Sequence, residues 1–235
     1  SSFKKPPHRI ISLNGQVSYF CGFKNVNMKL HDLRQQYGKE SLDESNCPAD
    51  PMVLVKEWIE KAIEFHAFEA NAFVLSTTSH GRSSSRVVLL KEITENGFVF
   101  FSNYKSKKGI EIETNPIASM LFFWPDMERQ LRIEGALTKI PASESDVYFD
   151  SRPLDSRLSA VVSPQSNVIE SMEDLMKARN ELLKQSDNVK RPGGWGGYVL
   201  TPDYYEFWQG GAHRLHDRIA YKLKNSEWLK VRLAP

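Results

Sequence analysis

The sequence predicts a mainly β fold with flanking helices, an antiparallel sheet or small barrel, on three observations. Short runs rich in β-branched and aromatic residues follow one another from Ala72 to Ile140 and again from Trp195 to Leu233. Turn signals at Ser79-His80-Gly81 and Glu95-Asn96-Gly97 separate the early runs, the second being a strong hairpin marker. The longer helical periods lie outside these runs, before Asn71 and after Pro141.

In chain order, residues 1–30 carry Lys4, Lys5, Arg9, Lys24 and Lys29 with no acid before Asp32. That is the composition of a flexible basic arm, a transit-sequence remnant, or an extension lying over the body. Residues 1–46 are accordingly separated as an N-terminal extension from a body of 47–235. Between Asp50 and Ala70, Val53, Leu54, Trp58, Ile59, Ala62, Ile63 and Phe65 recur at helical spacing, and Asp50-Pro51 supplies cap and first turn.

Strands are expected over Ala72–Thr78, Arg86–Ile93, Phe98–Asn103, Ile117–Trp124 and Gln130–Ile140, with a short helix over Ser106–Asn115 stopped by Pro116. Helices follow at Ala142–Ser151 and Ser171–Gln185, then a glycine-rich loop at Ser186–Gly197. Four strands return to the sheet: Trp195–Leu200, Tyr204–Gln209, Arg218–Leu223 and Trp228–Leu233.

Composition excludes several classes. The chain has 235 residues, 40% hydrophobic and 26% charged, which is ordinary globular texture. A net charge of +2 is too mild to argue by itself for a nucleic-acid or membrane surface. Cys21 and Cys47 are the only cysteines, with neither zinc spacing nor disulfide density, so no metal site is expected. No apolar run approaches bilayer length. A cytoplasmic location is expected, with a mitochondrial one the alternative if the basic arm is an address.

Chemistry concentrates in a few segments. Trp208 to Arg218 packs Arg214, His216 and Arg218 between apolar runs; guanidinium forks and an imidazole suit an anionic, ring-bearing ligand, and a solvated turn is the plainer alternative. Arg86 and Lys91 bracket an apolar strand on opposite faces, serving two anions, or with a bulge between them, or reaching out to solvent. Lys107 and Lys108 open a helix, a phosphate cradle or a solvated turn.

Tyr148, Arg152 and Ser156 are four apart and share one face if the turn stays helical, although Pro153 interrupts it. Gln130, Gln165 and Ser166 offer neutral donors and acceptors for a heteroaromatic edge, or simple turn polarity. Trp208 is a stacking surface or a core residue.

Together these segments closely resemble the pyridoxine 5′-phosphate oxidase family, FMN-dependent enzymes that make pyridoxal 5′-phosphate, from about Asp50 to Pro235. The most specific part is Glu206-Phe207-Trp208-Gln209 followed by Arg214-Leu215-His216-Asp217-Arg218. Trp195-Gly196-Gly197-Tyr198, Arg152-Pro153 and Arg232-Leu233-Ala234-Pro235 are also similar.

The resemblance implies an FMN-binding split β-barrel and a homodimer, with flavin sites at the interface built from both subunits. It implies that Arg86, Val87, Val88, Leu89, Phe101, Ser102, Lys107 and Lys108 hold the FMN ribityl phosphate and its surroundings. Gln130, Gln165, Ser166, Trp208 and Arg218 complete that site. Lys91, Tyr148, Arg152 and Ser156 grip the substrate phosphate, while Arg214, Leu215 and His216 bind at the pyridine ring, Arg214 and His216 as the catalytic pair.

The implied reaction oxidises pyridoxine 5′-phosphate or pyridoxamine 5′-phosphate with dioxygen, by hydride transfer from C4′ to flavin N5, releasing hydrogen peroxide. Tyr205 departs from the family's usual aliphatic residue, and Lys107 from its frequent arginine. A nicotinamide-using flavin reductase, a non-catalytic flavin or pyridoxal phosphate carrier, and a nucleic-acid-binding barrel are the alternatives weighed against this reading.

Overall fold

The computed structural model describes residues 36–65, 67–184 and 189–235. Helix α1 (Pro51–Glu64) starts where Asp50 accepts the Met52 N–H at 2.9 Å, and it buries Leu54, Val55, Trp58, Ile59 and Ala62. It stops short of Ala70: the apolar stripe ends, and Phe65 and Phe68 are exposed.

Among the described residues, nine strands form one antiparallel sheet: β1 (Ala72–Ser79), β2 (Arg82–Leu89), β3 (Glu92–Thr94), β4 (Gly97–Asn103), β5 (Ile117–Trp124), β6 (Arg129–Lys139), β7 (Trp195–Gln209), β8 (Asp217–Lys224) and β9 (Glu227–Arg232). The spatial order is β2-β1-β5-β6-β7-β4-β3, with β8 and β9 continuing from β7.

Arg86–Ile93 is therefore not the single strand that its apolar run suggested. Leu90 N–H bonds to Asn71 beside β1, whereas the next amide, Lys91 N–H, bonds to Val99 of β4. Two adjacent residues thus join opposite edges of the sheet, which curls it into a barrel although β2 and β3 share no ladder.

The expected pair Trp195–Leu200 and Tyr204–Gln209 is likewise one 15-residue strand, β7. β6 pairs along its whole length, and a register shift at Glu134/Gly135 leaves Asp203 as the extra residue after Pro202. Gly135 is required there, since a Cβ would sit 2.0 Å from the Thr201 carbonyl oxygen. β7 pairs with β4 along its first part and with β8 along its last.

Helix α2 (Lys107–Thr114) follows β4 as expected, and α3 (Ala142–Ser151) follows β6. Pro153 does break α3, but the chain re-enters a helix at once as α4 (Leu154–Val162), which the sequence reading left out. α5 (Met172–Lys184) packs on α4 and buries no residue completely. Asn225 and Ser226 both have positive φ (50° and 65°), the two-residue geometry that joins β8 to β9 as a tight hairpin.

The main core fills the barrel and seats α1, with Trp58, Phe73, Phe98, Phe100, Phe122 and Phe207 all buried. Burial of each such side chain contributes roughly 1.5–3 kcal/mol. A smaller core of Phe149, Leu158, Val189 and Trp195 ties α3 and α4 to the start of β7. No helix among the described residues is long and apolar enough to cross a membrane.

Candidate functional site

The break between α3 and α4 points Arg152 inward. Its guanidinium lies 4.7 Å over the Trp195 ring, and its Nη1 is buried without a hydrogen-bond partner. Burial holds its pKa below the usual arginine value, opposed by Tyr148. Asp155, three residues on and lining the same cavity, pairs instead with Arg179. A half-buried cation with a buried, idle donor is costly unless an anion meets it.

Arg152 opens into a cavity of about 410 Å³ lined also by Asn103, Ser156, Ser159, Gln165 and Trp195. Tyr148 forms one side of an aromatic stack, its ring 3.7 Å from Phe101, with Trp195 on the same ladder. Tyr148 sits in α3, Arg152 at its end and Ser156 in α4, so they are not on one continuous helical face. The cavity nonetheless takes in Arg152, Ser156 and Gln165.

Beside it, Lys108 is buried at the head of α2. Its ammonium donates to Ser102 Oγ (3.0 Å), Ser106 Oγ (3.2 Å) and Gln165 Oε1 (2.9 Å), which brings three predicted residues into contact. Burial, with the Arg86 charge added, lowers its pKa to about 8. α2 sits this close to β4 because Gly109 has no side chain; a Cβ would lie 2.1 Å from the Tyr104 carbonyl oxygen.

Lys107 is exposed one turn from Glu111, at 3.9 Å. Arg86 faces inward on β2 and is engaged through both terminal nitrogens, donating to Leu75 O, Thr77 Oγ1, Ser84 and Glu111. Val87 points outward from the same strand, Val88 packs on the core, and Leu89 pairs with Ala72. Ser166, at φ 74°, lies in the turn closed by the Asn167 N–H to Pro164 bond.

A second cluster occupies the far end of β7. Gln130, Trp208 and Arg218 stand in register across β6, β7 and β8. Arg218 is aimed by Glu206 (Nε to Oε1, 2.9 Å) and by the Ala234 carbonyl (2.8 Å). The connection from β7 to β8 holds His213 and Arg214 at positive φ, with Leu215 exposed. His216 Nδ1 accepts the Gly211 N–H at 3.1 Å, so the neutral ring carries its proton on Nε2, and the ring packs against Trp208 at 4.7 Å.

Within one chain the predicted residues fall in three places. Ser102 pairs with Gly196, twelve residues before Trp208, which puts the two clusters about 40 Å apart along the strand. Lys91 lies at the corner between β2 and β3, lining a separate cavity of about 650 Å³ under the end of α1.

Sequence reasoning missed Tyr37, which packs edge-on against Trp208 (5.7 Å) and His216 (5.8 Å). Its segment is fixed by Glu128, whose carboxylate accepts the Gly38 and Lys39 amides at 2.8 and 3.0 Å, and by Asp217, which accepts the Leu42 amide. Nothing local in residues 36–46 marks that placement. Glu206 and Glu111 were missed too, although Glu206 stands inside the quoted motif and Glu111 one helical turn after Lys107.

An antiparallel sheet curled into a barrel whose end strands β2 and β3 share no ladder defines a split-barrel protein. Residues 56–184 match the pyridoxamine 5′-phosphate oxidase family, and residues 195–235 match the pyridoxine 5′-phosphate oxidase C-terminal dimerisation region. A pyridoxine/pyridoxamine 5′-phosphate oxidase of Actinobacillus pleuropneumoniae serotype 5b (strain L20) is 48% identical over 209 residues, covering 88% of this chain and all of the relative. One from Haemophilus influenzae (strain 86-028NP) is 46% identical over 210 residues, with 88% and 100% coverage.

Among solved structures, PhzG from Burkholderia lata 383, in complex with tetrahydrophenazine-1-carboxylic acid, superposes with a TM-score of 0.81 at 30% identity, covering 85% of this chain and all of that one. A related FMN-binding protein of Nostoc punctiforme PCC 73102 shares the fold, with a TM-score of 0.65 at 17% identity over 83% of this chain and 100% of the other. The chain belongs to the pyridoxine/pyridoxamine 5′-phosphate oxidase family.

Proposed function

We propose that this chain is an FMN-dependent oxidase that converts pyridoxine 5′-phosphate and pyridoxamine 5′-phosphate to pyridoxal 5′-phosphate, using dioxygen and releasing hydrogen peroxide, as a homodimer. The observation that carries the reading is Arg152: a half-buried guanidinium with a buried, idle Nη1, in a cavity shared with Ser156, asks for a phosphate.

The residues present fit FMN. Lys107 and Lys108 at the head of α2, with Ser102 at the end of β4, offer a phosphate two charges and a hydroxyl, with Arg86 behind them and Gln165 beside them. Bound there, FMN would supply the redox chemistry, taking up hydride from the substrate's C4′ carbon and returning the electrons to dioxygen. The protein's part is orientation and charge.

On this reading, Arg152, Tyr148 and Ser156 fix the substrate phosphate, joined by Lys91. Arg214 and His216 address the ring, and with Nδ1 accepting the Gly211 N–H, His216 presents an Nε2–H donor to it.

Two features support a second copy of the chain. The clusters are too far apart along β7 to meet in one chain, and β7–β9 fall within the match to a dimerisation region. The outer face of β2, β1 and β5 also carries Val87, Val74 and Leu121 in register, with Val87 65% and Phe123 53% exposed. An apolar strip of this kind suits burial against a partner.

The deciding test is the absorption spectrum of purified protein, followed by addition of pyridoxine 5′-phosphate without oxygen. A yellow flavin band that bleaches, and returns under air with peroxide, is expected. A preparation that refuses added FMN, or a flavin that bleaches with NADH and not with the phosphate ester, overturns the reading.

A further inference from the structure

We propose that Glu111 is the positioning carboxylate of the cation cradle at the head of α2: it clamps Arg86 and sets the charge that an incoming phosphate meets at Lys107 and Lys108. The inference deepens the flavin reading above and rests on it. Its basis is an ion pair joined in three ways. Arg86 Nη2 reaches Glu111 Oε2 directly at 2.9 Å.

Two hydroxyls bridge the same pair. Thr77 Oγ1 accepts from Arg86 Nη1 and donates to Glu111 Oε2, each at 2.6 Å. Ser84 Oγ accepts from Arg86 Nη2 at 2.6 Å and lies 2.7–2.8 Å from both Glu111 oxygens. β1, β2 and α2 each contribute a member, so both terminal nitrogens of the guanidinium are held. Burial raises the Glu111 carboxyl, but hydrogen bonds from Ser84, Thr77 and Arg86, with the Arg86 charge, bring it below the usual carboxylate range.

Glu111 also reaches along its own helix to Lys107 at 3.9 Å. Three cations thus share one acid. Lys108 faces Arg86 from β2, Glu111 from α2, and the uncharged Ser102, Ser106 and Gln165 from β4, the α2 cap and the loop after α4. Burial and Arg86 both disfavour its ammonium, and Glu111 is the charge that opposes them. Remove that charge, and an unbalanced Arg86 remains while Lys108 loses its proton at a lower pH.

The test is titration of apoprotein with FMN and, separately, with riboflavin, followed by flavin fluorescence from pH 6.5 to 9.5. Wild type is expected to bind FMN with an affinity that falls on the alkaline side as Lys108 deprotonates. Glu111→Gln should weaken FMN about ten-fold at pH 7.5 and move that alkaline limb to lower pH, with riboflavin binding unchanged. Glu111→Asp, which keeps the charge, should keep the limb in place.

An unchanged affinity and limb in a folded Glu111→Gln variant overturns the proposal while leaving the flavin reading standing. Failure of wild type to bind FMN at any pH removes the reading itself. If Glu111→Gln does not fold, Thr77→Val combined with Ser84→Ala, which deletes both bridges and keeps both charges, takes its place. Weaker FMN binding is then expected, and unaltered affinity counts against the proposal.

Discussion

Arg86 and Arg152 are both arginines drawn into the protein from the end or edge of an element, and they are treated in opposite ways. Arg86 meets an acid, two hydroxyls and two carbonyls. Arg152 meets aromatic rings and keeps a buried Nη1 without a partner. A satisfied cation is part of the scaffold that holds a site in shape, whereas an unsatisfied one points to the ligand itself. Residue type and neighbouring sequence do not distinguish the two; only the company each keeps does.

The comparison can be broken most directly at Arg86. Arg86→Met removes the cation nearest Glu111 and should cost up to about 3 kcal/mol of stability, while Arg86→Met with Glu111→Leu should recover most of it. Urea denaturation of the single and double variants reads this, and equal losses in both would remove the scaffold role. At Arg152 the opposite pattern is expected. Arg152→Ala should leave stability little changed yet raise KM for pyridoxine 5′-phosphate by one to two orders of magnitude, since a charge-assisted hydrogen bond contributes roughly 1.5–3 kcal/mol.

Lys108 sharpens the contrast through pH. Its folded pKa, about 8, lies below the ordinary lysine value of 10.5, so the unfolded chain holds more protons between those values. Its contribution to stability therefore rises as pH climbs through that window. Comparing apoprotein melting from pH 8 to 9.5 with that of Lys108→Met isolates the effect; the window stops short of the tyrosines, whose raised values act in the opposite sense. Parallel curves would show that Lys108 is not the titrating group.

The smallest effect is expected at Tyr37. Tyr37→Ala removes two edge-on ring contacts, worth about 0.5–1.5 kcal/mol, and should speed proteolysis between residues 36 and 46 without changing the melting of the barrel. A change in barrel melting would mean that this segment belongs to the core.

Most elements were legible because their signals are local. The Asp50-Pro51 cap, the Asn96-Gly97 turn and the alternation along β1 and β5 each depend on residues within a few positions of one another. What failed locally was continuity. The apolar run from Arg86 to Ile93 reads as one strand, yet Leu90 and Lys91 bond to opposite edges of the sheet. Pro202 reads as a break, yet a bulge opposite Gly135 absorbs it. Pro153 does break a helix, and nothing nearby announced that another begins at Leu154.

The candidate site divides in the same way. The sequence by itself determined which side chains carry charge and rings, where helices and strands begin, and, through the Trp208 to Arg218 run, the family resemblance that the comparisons bear out. Only the tertiary fold brings Lys108, Ser102 and Gln165 into contact, sets Glu111 against Arg86 and leaves Arg152 Nη1 without a partner. The reason is range: caps, turns and alternation are settled over a few residues, whereas the partner of a buried charge is chosen by strand register and helix docking across dozens.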